Sequence, residues 1–238
     1  MLVARGLVES RAKAQALILA GAVHSGTLRI DKAGQLLPVE APLSVRGLDH
    51  PWVSRGGLKL VEGLDRFGVD AAGLICLDVG ASTGGFTDVL LSRGAARVYA
   101  VDVGHGQLAW KLRQDPRVVV LERTNARHLT ADRIPEAVDL VVCDASFIGL
   151  ETVLPAPLGL TRPGARLVAL VKPQFEVGKG RVGKGGVVRD PALHEEVCAR
   201  IAAWLGAQPG WRVLGLAESP ILGPEGNKEF LIGAVREA

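Results

Sequence analysis

The chain has 238 residues, 48% of them apolar, enough to bury one large core or an ordinary core with a small companion, which excludes disorder over most of its length. Net charge is only +3, yet residues 1–60 hold eight Lys/Arg against four Asp/Glu, while residues 61–238 hold twenty against twenty-one. Cys76, Cys143 and Cys198 stand apart in apolar runs without metal or disulfide spacing, and no leader or run of roughly 18 uncharged apolar residues occurs, so a cytoplasmic chain with reduced thiols and no metal is expected.

Residues 2–22 read as two short helices broken at 7–10, with Ser10 as an N-cap and Gly21 as a stop. Alternation over 24–45 around Gly26, Gly34 and Pro38 suggests short strands and turns. A connector follows, giving a division into 1–47, a linker at 48–56 and a main domain at 57–238. From Leu74 onward short apolar strands alternate with helical segments, the pattern of a parallel α/β sheet wound on both faces. Strands are predicted at 74–79, 97–102, 118–122, 139–144, 166–171, 211–218 and 230–235. The turn-rich 219–228 segment makes the last two an antiparallel hairpin, as in seven-stranded Rossmann-like methyltransferase sheets.

The first of these strands ends in Asp78, followed by Gly80, Ala81, Ser82, Thr83, Gly84, Gly85 and Phe86. Its spacing is neither the G-x-G-x-x-G of a pyrophosphate turn nor a P-loop. An acid opening a glycine loop suits a cationic ligand such as S-adenosylmethionine. Asp102 closes the second strand, near the spacing at which an acid takes ribose hydroxyls; Val103 follows it, and Asn125 stands where it could face an adenine. Asp144 closes the fourth strand, beside where a sulfonium would lie. A glycine turn standing alone would also suit other α/β proteins, so the combination carries the reading.

Basic residues recur after the fifth strand, where 172–189 hold five against Glu176 alone. Lys179, Arg181 and Lys184 lie there among glycines and suit phosphate contacts, as do Arg5, Arg11 and Lys13 near the start. Ten aromatic residues are too few for a stacking platform; Trp52 and Phe147 are candidate base or cofactor contacts, and Trp110, Trp204 and Trp211 read as core.

Seven segments together resemble the TlyA-type members of the FtsJ-like RNA ribose 2'-O-methyltransferases. They are S-R-G-G-L-K-L at 54–60, the Asp78 loop, D-V-G-H-G-Q-L at 102–108, E-R-T-N-A-R at 122–127, D-A-S-F-I at 144–148, V-K-P-Q-F-E at 171–176 and G-N-K-E-F at 226–230. The resemblance implies a Lys-Asp-Lys-Glu tetrad at Lys59, Asp144, Lys172 and Glu229, an S-adenosylmethionine cofactor and a ribosomal RNA substrate, with a cytidine ribose as acceptor. It also implies that residues 2–45 resemble the small RNA-binding module of ribosomal protein S-four. A ribose hydroxyl must lose its proton as it attacks, and Lys172 is assigned as the base, with Asp144 orienting it and Lys59 and Glu229 positioning the hydroxyl. The family's haemolysin label finds no leader or amphipathic membrane helix to support it. Two other readings stay open: a methyltransferase of small molecules, and a non-catalytic RNA-binding or ribosome-assembly factor.

Overall fold

The structure, a computed structural model, describes residues 1–5, 7–8, 11–19, 21–45, 50–178 and 180–237. Two compact units divide the chain, Met1–Pro51 and Trp52–Ala238. The expected linker therefore splits: Trp52 and Val53 pack with the second unit's core, and the Val53 N–H donates to Asp88 Oδ2 at 2.8 Å.

In the first unit the expected opening helix is only a turn, closed by Arg5 N–H on Met1 O and Leu7 N–H on Leu2 O, both 3.0 Å. So few residues before Gly6 cannot repay the entropy of nucleating a helix. A single helix, α1 (Arg11–Leu19), follows; Ser10 lies outside the described residues. Gly21 is the stop the sequence suggests, because its N–H donates to Ile18 O and that of Ala22 to Leu17 O, both 2.9 Å, the paired bonds of a Schellman end. Strands β1 (Val23–Ser25), β2 (Leu28–Arg29) and β3 (Leu43–Val45) form a small antiparallel sheet with β1 central. Leu2, Ile18, Val23 and Ile30 fill its core.

The second unit opens with α2 (Gly56–Arg66). Strands β4 (Ile75–Val79), β5 (Arg97–Val101), β6 (Val118–Leu121), β7 (Val138–Cys143), β8 (Thr161–Val171), β9 (Trp211–Glu218) and β10 (Phe230–Arg236) form one sheet. Its order is β6-β5-β4-β7-β8-β10-β9. The first five are mutually parallel, while β10 runs antiparallel to both β8 and β9. Helix α3 (Gly85–Ser92) follows β4, α4 (Trp110–Arg113) follows β5, α5 (Leu150–Val153) and α6 (Pro155–Gly159) follow β7, and α7 (Pro173–Glu176) and α8 (Pro191–Gly206) follow β8.

Central strands are apolar without interruption because both faces are covered. Period-two alternation divides their residues: Leu77, Val79, Tyr99, Val101 and Val141 join the core under α8, and Cys76, Val98, Ala100, Leu140 and Val142 join the core under α2 and α3. Helix α2 lies close to the sheet because Gly63 has no side chain; a Cβ there would stand 2.6 Å from Val168 Cγ1. That approach buries Leu60 and Leu64 and fixes the height of Lys59, one residue before Leu60. Trp110, expected in the core, is 73% exposed, since a four-residue helix has little face to bury. All three cysteines are buried and free; burial pushes their thiols up, away from reactivity. Among the described residues no helix is long and apolar enough to cross a membrane.

Candidate active site

Segments following all five parallel strands build the site at their carboxyl edge. After β4 the chain turns at Gly80 (φ 84°), where a Cβ would come 2.8 Å from Ala145 Cα. Only glycine lets this loop lie against the segment leaving β7. Both Gly80 and Ala81 donate their N–H to Val101 O, at 2.9 and 3.0 Å, which ties the loop to β5.

Asp102 follows β5 and accepts two backbone N–H groups, Ser82 on Oδ2 at 2.8 Å and Gly104 on Oδ1 at 2.7 Å. Each carboxylate oxygen keeps a further lone pair, so the acid is oriented and can still receive hydroxyls. It lines a cavity of about 560 Å³ with Gly80, Ser82, Val103, Asn125 and Asp144, a volume ordinary for a small-molecule site. Asn125 Oδ1 caps the turn after β6, accepting the Arg127 N–H at 3.1 Å. This donor set, two carboxylates with an amide and apolar walls, fits a cationic nucleoside.

Asp78 does not line that cavity. It is fully buried on the α3 face of β4, where the Thr87 hydroxyl donates to Oδ2 at 2.6 Å and Oδ1 has no partner. Burial pushes its carboxyl up to about 7, against the Thr87 hydrogen bond. Gly84, with φ 95°, likewise turns away and meets Leu108 and Leu112. The sequence groups both with the loop, but strand parity turns Asp78 inward and a left-handed backbone turns Gly84.

A second cavity of about 240 Å³ adjoins the first, sharing Gly80, Ser82, Asp144 and Ser146. Ala81, Thr83, Gly85 and Phe86 line it from the glycine loop, and Lys59 and Lys172 from the other side. Here the tetrad converges. Lys59 Nζ lies 2.5 Å from Glu229 Oε2 and 3.9 Å from Asp144 Oδ1, and Lys172 Nζ lies 2.7 Å from the same Asp144 Oδ1. The charges alternate from Glu229 through Lys59 and Asp144 to Lys172. Lys59, Lys172 and Glu229 are all buried, Glu229 to 1% exposure. Register Phe230↔Val171 sets Glu229 across from Lys172, and Gln174 Nε2 donates to Glu229 Oε1 at 3.4 Å. Ser54, Arg55 and Ser146 also line this cavity; nothing in their spacing alone marked them.

The basic candidates are less uniform than their sequence suggests. Arg5 donates to the carbonyls of Val39 and Ala41, so its charge serves the small unit's own backbone. Arg181 forms a two-pronged pair with Glu196 at 2.6 and 2.5 Å. Arg11, Lys13 and Lys184 are exposed, and Lys179 lies outside the described residues. Phe147 is 90% exposed beside the larger cavity, its ring 5.1 Å from that of Phe175.

A seven-stranded sheet with one reversed strand, a glycine loop after its first strand and an acid after its second defines a methyltransferase of the S-adenosylmethionine-dependent class. The same fold occurs in the O-methyltransferase TomG of Streptomyces achromogenes, 18% identical with a TM-score of 0.51 over 78% of this chain and 82% of that one. The FtsJ-like methyltransferase family model matches residues 52–236, and the chain belongs to that family. It is 53% identical to the Mycobacterium tuberculosis 16S/23S rRNA (cytidine-2'-O)-methyltransferase TlyA, covering 97% of this chain and 86% of the relative. It is 40% identical to Hemolysin A of Brachyspira hyodysenteriae, covering 95% and 94%. A solved hemolysin-labelled structure from Streptococcus thermophilus is 42% identical, with a TM-score of 0.80 over 99% of this chain and 86% of that one.

Proposed function

We propose that this protein transfers a methyl group from S-adenosylmethionine to the 2'-hydroxyl of a cytidine in ribosomal RNA. The observation that carries the reading is the meeting of Lys59, Asp144 and Lys172 on the cavity that adjoins the nucleoside-sized one, with Glu229 buried behind Lys59 and paired to it. When bound, the cofactor supplies a methyl carbon made electrophilic by its sulfonium. Asp102 would hold its ribose hydroxyls and Asn125 would face its adenine, while Asp144 places negative charge at the junction of the two cavities.

On the acceptor side, Lys172 takes the proton of the attacking hydroxyl. Asp144 fixes Lys172 through both its carboxylate and its carbonyl, the latter at 2.9 Å. Lys59, anchored by Glu229, steadies the oxygen as negative charge develops. Burial keeps these charges poorly screened and so directional. The small unit, which we read as an S-four-like RNA-binding module, and the basic segment at Lys184 hold the RNA backbone, so affinity falls steeply with salt.

The test is transfer of labelled methyl from the cofactor to 16S RNA, 23S RNA, intact subunits and a metabolite pool, followed by mapping of the modified sugar. Methylation of a cytidine 2'-oxygen is expected. Labelling confined to metabolites, or to a base atom, overturns the proposal, and a Lys172→Ala protein with undiminished transfer overturns the base assignment.

A further inference from the structure

Lys172 is surrounded by three oxygens with unequal chemistry. Its Nζ lies 2.9 Å from the Asp144 carbonyl and 3.0 Å from Ser146 Oγ, and 2.7 Å from Asp144 Oδ1. The last contact is an ion pair rather than a hydrogen bond, since Oδ1 has no hydrogen-bond partner. It still decides orientation, because a carboxylate oxygen at that distance repels a nitrogen lone pair.

An ammonium suits all three neighbours, donating to the Asp144 carbonyl and to Ser146 and pairing its charge with the carboxylate. A neutral amine has two N–H groups and one lone pair, and that lone pair must face a group able to donate. A carbonyl and a carboxylate are acceptors only, whereas a serine hydroxyl both donates and accepts. Of these three neighbours, Ser146 is therefore the one able to donate to the lone pair of Lys172 in its base form. Ser146 also lines both cavities, whereas Lys172 lines only the smaller one.

We infer that Ser146 is a catalytic proton relay between the acceptor hydroxyl and Lys172, an inference that rests on the base role proposed above. As the 2'-oxygen bonds to the methyl carbon, the carbon–sulfur bond breaks and its electron pair stays on sulfur. The 2'-hydroxyl proton passes to Ser146 Oγ while the Ser146 proton passes to Lys172 Nζ, which ends as the ammonium. No further reactant is needed.

The experiment compares wild type, Ser146→Ala, Ser146→Thr and Lys172→Ala in single-turnover transfer to ribosomal RNA, with rates measured across H₂O/D₂O mixtures and affinity for S-adenosylhomocysteine measured separately. Ser146→Ala is expected to slow transfer by about 10- to 100-fold, within the range of proton-transfer catalysis, with product affinity unchanged. Ser146→Thr keeps the hydroxyl and recovers most of the rate. The wild-type rate should bow with deuterium fraction, as two protons in flight require, and that of Ser146→Ala should vary linearly. A linear wild-type response overturns the relay, as does a loss of product affinity that matches the loss of rate. Full transfer by Ser146→Ala with an inactive Lys172→Ala overturns the relay alone, while full transfer by Lys172→Ala overturns the base reading beneath it.

Discussion

Replacing Lys59 with methionine keeps the length of the side chain and deletes its charge. The partner left behind is Glu229, whose side chain is 0% exposed and whose nearest cation is Lys59 Nζ at 2.5 Å. Its remaining polar neighbour, Gln174 Nε2 at 3.4 Å, is a neutral donor at the edge of hydrogen-bonding range. Stranding one charge of a buried pair costs about 3–5 kcal/mol. At about 2–4 °C per kcal/mol for a domain of this size, the melting midpoint should fall by roughly 6–20 °C. Removing both charges in Lys59→Met/Glu229→Gln should return most of that loss, because neither partner is then left uncompensated. Thermal unfolding followed by circular dichroism, with urea titration alongside, measures all four corners of the cycle. A Lys59→Met protein that melts with wild type, or a double variant no better than the worse single one, would show that this pair does not hold the site together.

The other predictions probe separate parts of the fold. Because the folded carboxyl of Asp78 is raised to about 7, its contribution to stability is full below the ordinary carboxylate range and is lost as pH rises through 7. This amounts to on the order of 4 kcal/mol. Asp78→Asn should remove that slope, and a wild-type-minus-variant melting difference that stays constant from pH 4 to 8 would contradict it. Asp102→Ala deprives the Ser82 and Gly104 N–H groups of their acceptor and should weaken S-adenosylhomocysteine binding by about 1–3 kcal/mol in calorimetry; unchanged affinity would remove Asp102 from the cofactor site. Gly80→Ala should destabilise the protein in the same melting assay by at least about 1 kcal/mol, since it adds a Cβ at positive φ against Ala145. Lys184→Ala should weaken RNA binding and lower the salt slope by about 1, whereas Arg181→Ala should do less because Glu196 already holds that charge; equal effects would mean that RNA breaks the Arg181–Glu196 pair.

Half of the tetrad was legible in the sequence, and the other half shows where such reading stops. Asp144 and Lys172 directly follow β7 and β8, which the strand pattern makes neighbours, so their proximity follows from alternation and parallel pairing alone. Lys59 is carried by a helix whose height depends on Gly63 meeting Val168, a packing contact between residues 105 positions apart. No local pattern records that distance; only resemblance to a family pointed to it. Asp78 and Arg5 show the opposite limit. Their residue types suited a ligand, but strand parity turned one inward to Thr87 and the carbonyls of Val39 and Ala41 captured the other. Sequence pattern states what a side chain can bind, and tertiary packing decides what reaches it first.

Strand direction has a consequence for Glu229. Parallel strands deliver the residues that follow them to the reactive edge, which is how Asp144 and Lys172 arrive there. Because β10 enters the sheet from that edge, it delivers the residue before its first one. Run the other way, the same seven-residue strand would carry Glu229 to the far margin of the sheet, about 20 Å away at 3.3 Å per residue. Lys59 would then lose its nearest counter-charge and keep only Asp144 Oδ1 at 3.9 Å. The one reversal in an otherwise regular winding is what closes the circuit of charge, and the segment between β9 and β10 is therefore a part of the catalytic rim that can vary in sequence only where it leaves the heading of that strand intact.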